Sequence, residues 1–380
     1  MTNNQINIPF VDLSHQHQPI QTQIEQAIAR VIHNKDFILG QELAEFESAF
    51  ATACGVKYGI GVASGTDAIA LGLQACGIAP GDEIILPANT FIATAIGVIR
   101  AHAKPVLVDS DPETGLIDLT AAETAITPKT KAIIPVHLYG QMVSPNQLLN
   151  LAQTYNLIIF EDAAQAHLAE RENYRAGSFS KAAAFSFYPS KNLGSFGDGG
   201  MLVTNDGDIA KKMQIFRNYG ASSKYLHTEP GTNSRLDNLQ AAVLNVKLPY
   251  LKSWNRDRNL AALYYNKLLE PLKEKGIFPI QNQSGNGNIY HLYVIRVTDE
   301  CPLNRDRLQE KLAAIGIQTG IHYPIPCHLQ PAYPNLGSLG DFPNAETLCK
   351  QVLSLPMYPG LSNTQIEQVV TAINRYVVGL

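Results

Sequence analysis

The feature that most constrains this chain is the alternation, between residues 58 and 204, of short apolar runs with stretches of helical period. Tyr58–Ala63, Glu83–Leu86, Pro105–Asp109, Ala132–Val136 and Leu157–Asp162 are nearly continuous in apolar residues, the pattern of parallel strands covered by helices on both faces. Helices are expected from Asp67, from Thr90, near Leu119 and near Leu148. Two further strands, Ala183–Phe187 and Met201–Thr204, bracket the glycine-dense stretch Asn192–Gly200. Upstream, Ile20, Ile24, Ile28, Val31 and Ile32 recur at helical spacing, as do Leu43, Phe46 and Phe50 before a terminating Gly55. The expected fold class is α/β, with a mostly parallel sheet wound on both faces and ligands gathered at the strands' C-terminal ends.

After a polar helix holding Lys211, Lys212 and Arg217, Ser234–Leu251 reads as a long amphipathic helix leading out of this unit. That puts a large α/β domain at 1–250, with an N-terminal helical segment, and a smaller α+β domain at 251–380. The second carries helices at Asn259–Leu269, Asn304–Ile315 and Thr364–Val377 and a strand at His291–Val297.

Composition removes several functions. Lys and Arg total 29 against 33 Asp and Glu, a net charge of -4, so no basic field exists to bind nucleic acid. Every apolar run falls far short of the ~20 residues that span a bilayer, and Met1–Gln5 lacks the features of a signal peptide, so a cytoplasmic location with no membrane partner is the expectation. The five cysteines are scattered without a Cys-x-x-Cys pair, which argues against a disulfide framework or a zinc site, and no metal is expected. Gly59-Ile60-Gly61 lacks the third glycine of a dinucleotide fingerprint.

Three places carry chemistry. Ser64-Gly65-Thr66-Asp67 follows a strand and opens a helix, where free N–H groups and the helix dipole can hold a phosphate; simple helix capping explains the same residues. Asp162 ends an apolar strand and is followed by Gln165 and His167, which puts an acid, an amide and an imidazole at the sheet edge, although Asp162 could equally cap a helix and His167 pack structurally. Lys191 lies just after a strand, between aromatics and a Gly-rich turn, where a desolvated amine can lose its proton. Phosphate donors, an acid for a pyridine nitrogen and an amine for an aldehyde are the three requirements of pyridoxal phosphate.

At these residues the chain resembles the DegT/DnrJ/StrS sugar aminotransferases, of the fold type I, aspartate-aminotransferase-like class. The likeness runs from Pro9-Phe10-Val11-Asp12-Leu13 through Ala63-Ser64-Gly65-Thr66-Asp67-Ala68, Pro87-Ala88-Asn89-Thr90-Phe91 and Pro135-Val136-His137-Leu138-Tyr139-Gly140. It continues in Glu161-Asp162-Ala163-Ala164-Gln165, in the Lys191 segment with Gly197-Asp198-Gly199-Gly200, and in His322-Tyr323-Pro324. The resemblance implies that Lys191 binds the cofactor aldehyde and shuttles the proton, that Asp162 pairs with the pyridine nitrogen, that Gln165 meets the phenolic oxygen and that Phe91 stacks on the ring. Gly65, Thr66 and Ser186 would hold the phosphate, and Asn233 would reach the phosphate of a partner subunit in a homodimer with composite sites. His167 is a catalytic candidate beside Lys191, with Tyr219 and His322 as further polar candidates. Relatives with His in place of the lysine act as dehydratases, a branch that Lys191 argues against.

The activity implied is transamination of a nucleotide-linked keto sugar with glutamate as amino donor, a step of deoxyamino-sugar biosynthesis such as feeds cell-surface polysaccharides. The segments around His167, Lys191 and Tyr219 look most like the branch that aminates carbon 3 of thymidine-diphosphate-linked 3-keto-6-deoxyhexoses. The alternatives are amination at carbon 4, a pyridoxal enzyme acting on amino acids, and a non-catalytic cofactor-binding regulator.

Overall fold

The computed structural model of the chain describes residues 7–378. Seven strands build one sheet: β1 (Tyr58–Val62), β2 (Glu83–Pro87), β3 (Lys104–Val108), β4 (Thr130–Ile133), β5 (Ile158–Asp162), β6 (Ala182–Ser186) and β7 (Gly200–Thr204). Their order is β1-β7-β6-β5-β4-β2-β3. Only β7 runs antiparallel to its neighbours; the other pairs are parallel, so the C-terminal ends of six strands share one edge.

The sheet is buried on both faces, as its apolar runs require. On one face Ile60, Phe160 and Leu202 pack with Ile69 and Leu73 of the helix Gly65–Ala75. On the other, Phe46 and Phe50 of the helix Gln41–Cys54 meet Phe185 and Phe187, with the Phe50 and Phe185 rings edge-on at 5.0 Å. Each such side chain removed from water contributes roughly 1.5–3 kcal/mol, which makes the two layers the main source of rigidity under the sheet edge.

The structure shifts some expected boundaries for local reasons. β4 stops at Ile133, short of Val136, because Pro135 has no N–H to give the ladder. The helix after β2 starts at Ala93, which leaves Thr90 and Phe91 in the connection above the sheet edge. Within Ser234–Tyr250 only Asn238–Lys247 is α-helical. A 3-10 turn at Leu248–Tyr250, containing Pro249, separates it from a second helix, Leu251–Leu269.

Beyond this point three antiparallel strands, β8 (Ile277–Pro279), β9 (Tyr293–Val297) and β10 (Val352–Leu355), form a second sheet. Its core joins Tyr265, Ile295, Leu308, Leu353 and Ile373, and it also takes Ile8 from the chain's start. Ile8 N–H donates to Gly316 O at 2.9 Å, so the first described residues are tied to the C-terminal unit. Among the described residues no helix is long and apolar enough to cross a membrane, and no cluster of His, Cys, Asp or Glu is arranged to hold a metal ion.

Candidate active site

Five connections leaving the C-terminal edge of the sheet converge on a cavity of about 480 Å³. Its walls include Gly65 and Thr66 after β1, Phe91 after β2, Asp162 at the end of β5 and Gln165 after it, and Ser186 at the end of β6 and Lys191 after it. His291, His322 and Tyr323 enter it from the C-terminal unit.

The helix after β1 begins with Ser64 as its cap, whose Oγ accepts from Asp67 N–H at 3.1 Å. The first bond inside the helix runs from Ala68 N–H to Ser64 O, which leaves the N–H groups of Gly65 and Thr66 for a ligand. Capping and anion holding are therefore compatible here. A Cβ on residue 65 would come within 2.9 Å of Ser186 Cβ, so glycine is what lets this helix start approach Ser186.

Asp162 is held by the ladders on both sides: its N–H donates to Pro135 O, its C=O accepts from His137 N–H, both at 3.0 Å, and it pairs with Ala184 on β6. Its carboxylate accepts from Thr94 Oγ1 at 2.7 Å and from Ala164 N–H at 3.1 Å. Burial pushes this carboxyl above the usual range, and those two hydrogen bonds and the charge of Lys191 only partly offset the shift. A buried acid in this state gains from a cation placed against it, which is what a protonated pyridine nitrogen supplies.

Lys191 sits on a tight turn, where its N–H donates to Tyr188 O at 2.8 Å. A Cβ on residue 194 would lie 2.2 Å from Pro189 O, so Gly194 allows the turn to close. Burial lowers the Lys191 amine to about 8, against a smaller opposing pull from Asp162. The sign is clear: below about 8 the amine is an ammonium with no free electron pair, and above it the nucleophilic form dominates. In cofactor-free protein, the rate at which an added aldehyde such as pyridoxal captures this lysine should climb through about pH 8, whereas an exposed lysine titrates near ~10.4. A rate profile rising only above that value counts against the desolvated amine.

Gln165 is fixed from both ends. Its Oε1 accepts from Tyr139 N–H at 2.7 Å and its Nε2 donates to Tyr323 Oη at 3.1 Å. Tyr139 holds a left-handed backbone (φ 63°), a conformation that costs about 1–3 kcal/mol in a non-glycine residue. Phe91 stands at the mouth, 54% exposed, with its ring centroid 5.3 Å from that of Tyr323.

Three expected residues, His167, Asn233 and Tyr219, lie outside the cavity. His167 does not line the cavity; it is fully buried among Phe50, Phe185 and Phe187. Its Nε2 donates to Ser186 O at 2.9 Å, and burial, then Lys191, drives its pKa to about 3. The geometry thus gives it a supporting contact to Ser186 and no path to a reacting atom. Asn233 is exposed and outside its own chain's cavity, paired by a β-bridge with Asn218. Tyr219, 49% exposed and also outside the cavity, lies under the Arg235 guanidinium at 5.5 Å. His322 does line the cavity; its Nδ1 lies 2.9 Å from Ser354 Oγ, and burial lowers it to about 4. Three residues at or behind the cavity were not expected from the sequence: His291, which lines it, and Thr94 and Asn192, which hold Asp162 and His291. Thr94 follows Thr90 by four residues and Asn192 adjoins Lys191, but nothing in the sequence marks His291.

The profile of the DegT/DnrJ/EryC1/StrS aminotransferase family matches residues 18–374. The chain belongs to that family. It is 43% identical to a dTDP-3-amino-3,4,6-trideoxy-alpha-D-glucose transaminase of Streptomyces venezuelae, over 97% of this chain and 96% of that one. It is also 43% identical to a pleiotropic regulatory protein of Geobacillus stearothermophilus, over 98% and 99% of the two chains. The crystal structure of S. venezuelae DesV in complex with a ketimine intermediate superposes with a TM-score of 0.94 at 42% identity, covering 98% of each chain. Family and geometry agree on the α/β transferase fold.

Proposed function

We propose that this aminotransferase uses pyridoxal phosphate to move an amino group from L-glutamate to a nucleotide-linked keto sugar. The observation that carries the reading is the single cavity in which a half-buried, deprotonatable Lys191 and the buried carboxyl of Asp162 both form the wall, beside a helix start whose Gly65 and Thr66 N–H groups make no bond within the helix. The residues suit the cofactor. Gly65, Thr66 and Ser186 would hold its phosphate, Asp162 its ring nitrogen, Gln165 its phenolic oxygen, Phe91 one ring face and Lys191 its aldehyde. When bound, the cofactor supplies an aldehyde that accepts amines and a ring that spreads negative charge. The chain's own part is to keep Asp162 ionised against that ring, to hold the ring plane, and to move a proton at the reacting carbon with the Lys191 amine.

The finer substrate we propose is a thymidine-diphosphate-linked 3-keto-6-deoxyhexose aminated at carbon 3. The Streptomyces venezuelae transaminase, named for a dTDP-3-amino sugar, supports it. Offering the 3-keto and 4-keto isomers separately with glutamate, and locating the new amine by NMR, tests the assignment; preferential amination of the 4-keto sugar overturns it. Retention of Lys191 and Asp162 in one cavity favours catalysis over a purely regulatory role.

A homodimer with composite sites is part of this reading. Asn233 is exposed on a segment outside its own cavity, as a residue serving a partner's site must be. Mixing inactive Lys191→Ala protein with inactive Asn233→Ala protein should restore a measurable fraction of wild-type activity. A monomer in light scattering, or mixtures as dead as their components, would count against it.

A further inference from the structure

Beneath Lys191 lies a chain of amides and an imidazole whose donors and acceptors can be assigned without ambiguity. Asn192 is fully buried, and its Nδ2 donates to Asn255 Oδ1 at 2.9 Å and to Ile289 O at 3.0 Å. Both partners are pure acceptors, since Asn255 turns its own Nδ2 to His167 O at 3.0 Å. The Asn192 oxygen must therefore face the other way, where it meets His291 Nδ1 at 3.1 Å. An acceptor there requires that Nδ1 carry the proton, and the neutral ring then has a bare Nε2.

The ring has little freedom to change that state. Arg258, fully buried, donates to the carbonyls of Tyr290, His291 and Met357 through Nη1, which fixes the backbone on both sides of the imidazole and keeps a positive charge beside it. Lys191 is the other charged group acting on it and disfavours a second proton, as His322 and His167 would wherever they are themselves protonated. Burial acts in the same sense and comes first, so His291 is held well below the ordinary histidine range.

We propose that His291 is a substrate-discriminating residue whose Nε2 accepts a hydrogen bond from a hydroxyl of the keto sugar in the cavity, with Asn192 setting the tautomer. This deepens the reading proposed above and rests on it. The choice of ligand follows from chemistry. The amino donor reaches the same cavity with carboxylates, which are acceptors and gain nothing from a bare nitrogen, whereas a sugar brings hydroxyl donors. A site built on such a bond rejects ligands that leave it unpaired.

The test has two arms, both on the full-length holoenzyme. In the first, 15N-histidine NMR with His291→Gln to assign the resonance should show Nε2 unprotonated from about pH 6 to 8; a protonated Nε2 or a doubly protonated ring overturns the tautomer. In the second, single-turnover rates are measured for the two half-reactions, with L-glutamate and with a dTDP-linked 3-keto-6-deoxyhexose. His291→Phe should shift the ratio of the two rates against the sugar by about 10- to 100-fold. His291→Gln, which can place an oxygen near the site of Nε2, should recover much of that ratio. Equal losses in both half-reactions, with Gln no better than Phe, would show a structural residue and overturn the proposal. A wild type that takes the amino group from glutamate and rejects the sugar overturns the functional reading together with the proposed ligand, while the spectrum still decides the tautomer.

Discussion

Replacing Lys191 by alanine is expected to lower turnover by at least about 10²–10⁴-fold, the range lost when a positioned proton-transfer group is removed, while leaving the protein folded. The second half of that expectation comes from the local chemistry. The Lys191 amine contacts no hydrogen-bonding side chain among the described residues, and its charged form is disfavoured by burial. Truncation therefore strands no hydrogen-bond partner; it gives up the charge interaction with Asp162 and removes the larger desolvation cost of the amine, so thermal unfolding should stay close to wild type. The turn itself is closed by backbone bonds, Lys191 N–H to Tyr188 O and Ser195 N–H to Phe187 O, both at 2.8 Å, and these do not depend on the side chain. Cofactor should still bind, through the helix start and Asp162, without a borohydride-reducible link to the protein. The measurements are kcat, the melting temperature and peptide mapping after reduction. Retained transamination, or labelling at another lysine in the wild type, sinks the assignment.

The fold was legible because its signal is local. Continuous apolar runs such as Leu157–Phe160 have to be covered on both faces, and Gly55, which ends a helix with φ 79°, announces its own conformation. Strands β8 and β10 were missed because they are 3 and 4 residues long and depend for their existence on β9 between them. The cavity-lining residues were legible for a related reason: Gly65, Asp162, Ser186 and Lys191 each follow or end a strand, so topology alone brings them to one edge. His167 shows where that logic fails. Five residues beyond Asp162 looked close enough to reach the pocket, yet a turn between them directs the imidazole under the sheet edge, against three phenylalanines and Ser186 O. The imidazoles that do reach the cavity, His291 and His322, come from the second unit across more than a hundred residues of chain. No local pattern carries such information, since it depends on how two cores pack.

Asp162→Asn should keep the fold and the cofactor and lose about 10²–10³ in kcat, the cost typical of deleting one preorganised electrostatic partner. The amide can satisfy every neighbour of the carboxylate. Its oxygen can take the Ala164 N–H now bound at 3.1 Å, and its NH₂ can donate to Thr94 Oγ1, whose own proton has a second acceptor in Phe91 O at 3.2 Å. Nothing buried is then left unpaired, which separates this variant from Asp162→Ala, where Thr94 and Ala164 both lose a partner and a cavity opens in the sheet edge. What the amide lacks is charge. A neutral group gives a pyridine nitrogen no reason to stay protonated, and in the proposed function an unprotonated ring would withdraw electrons poorly from the carbon at which Lys191 would move its proton. The loss should therefore appear in kcat for both half-reactions, with glutamate and with the sugar alike, since both pass through the same ring. Cofactor absorbance and the melting temperature of the variant should remain close to wild type. A rate equal to wild type would show that the buried carboxyl serves only to cap Ala164 and anchor Thr94.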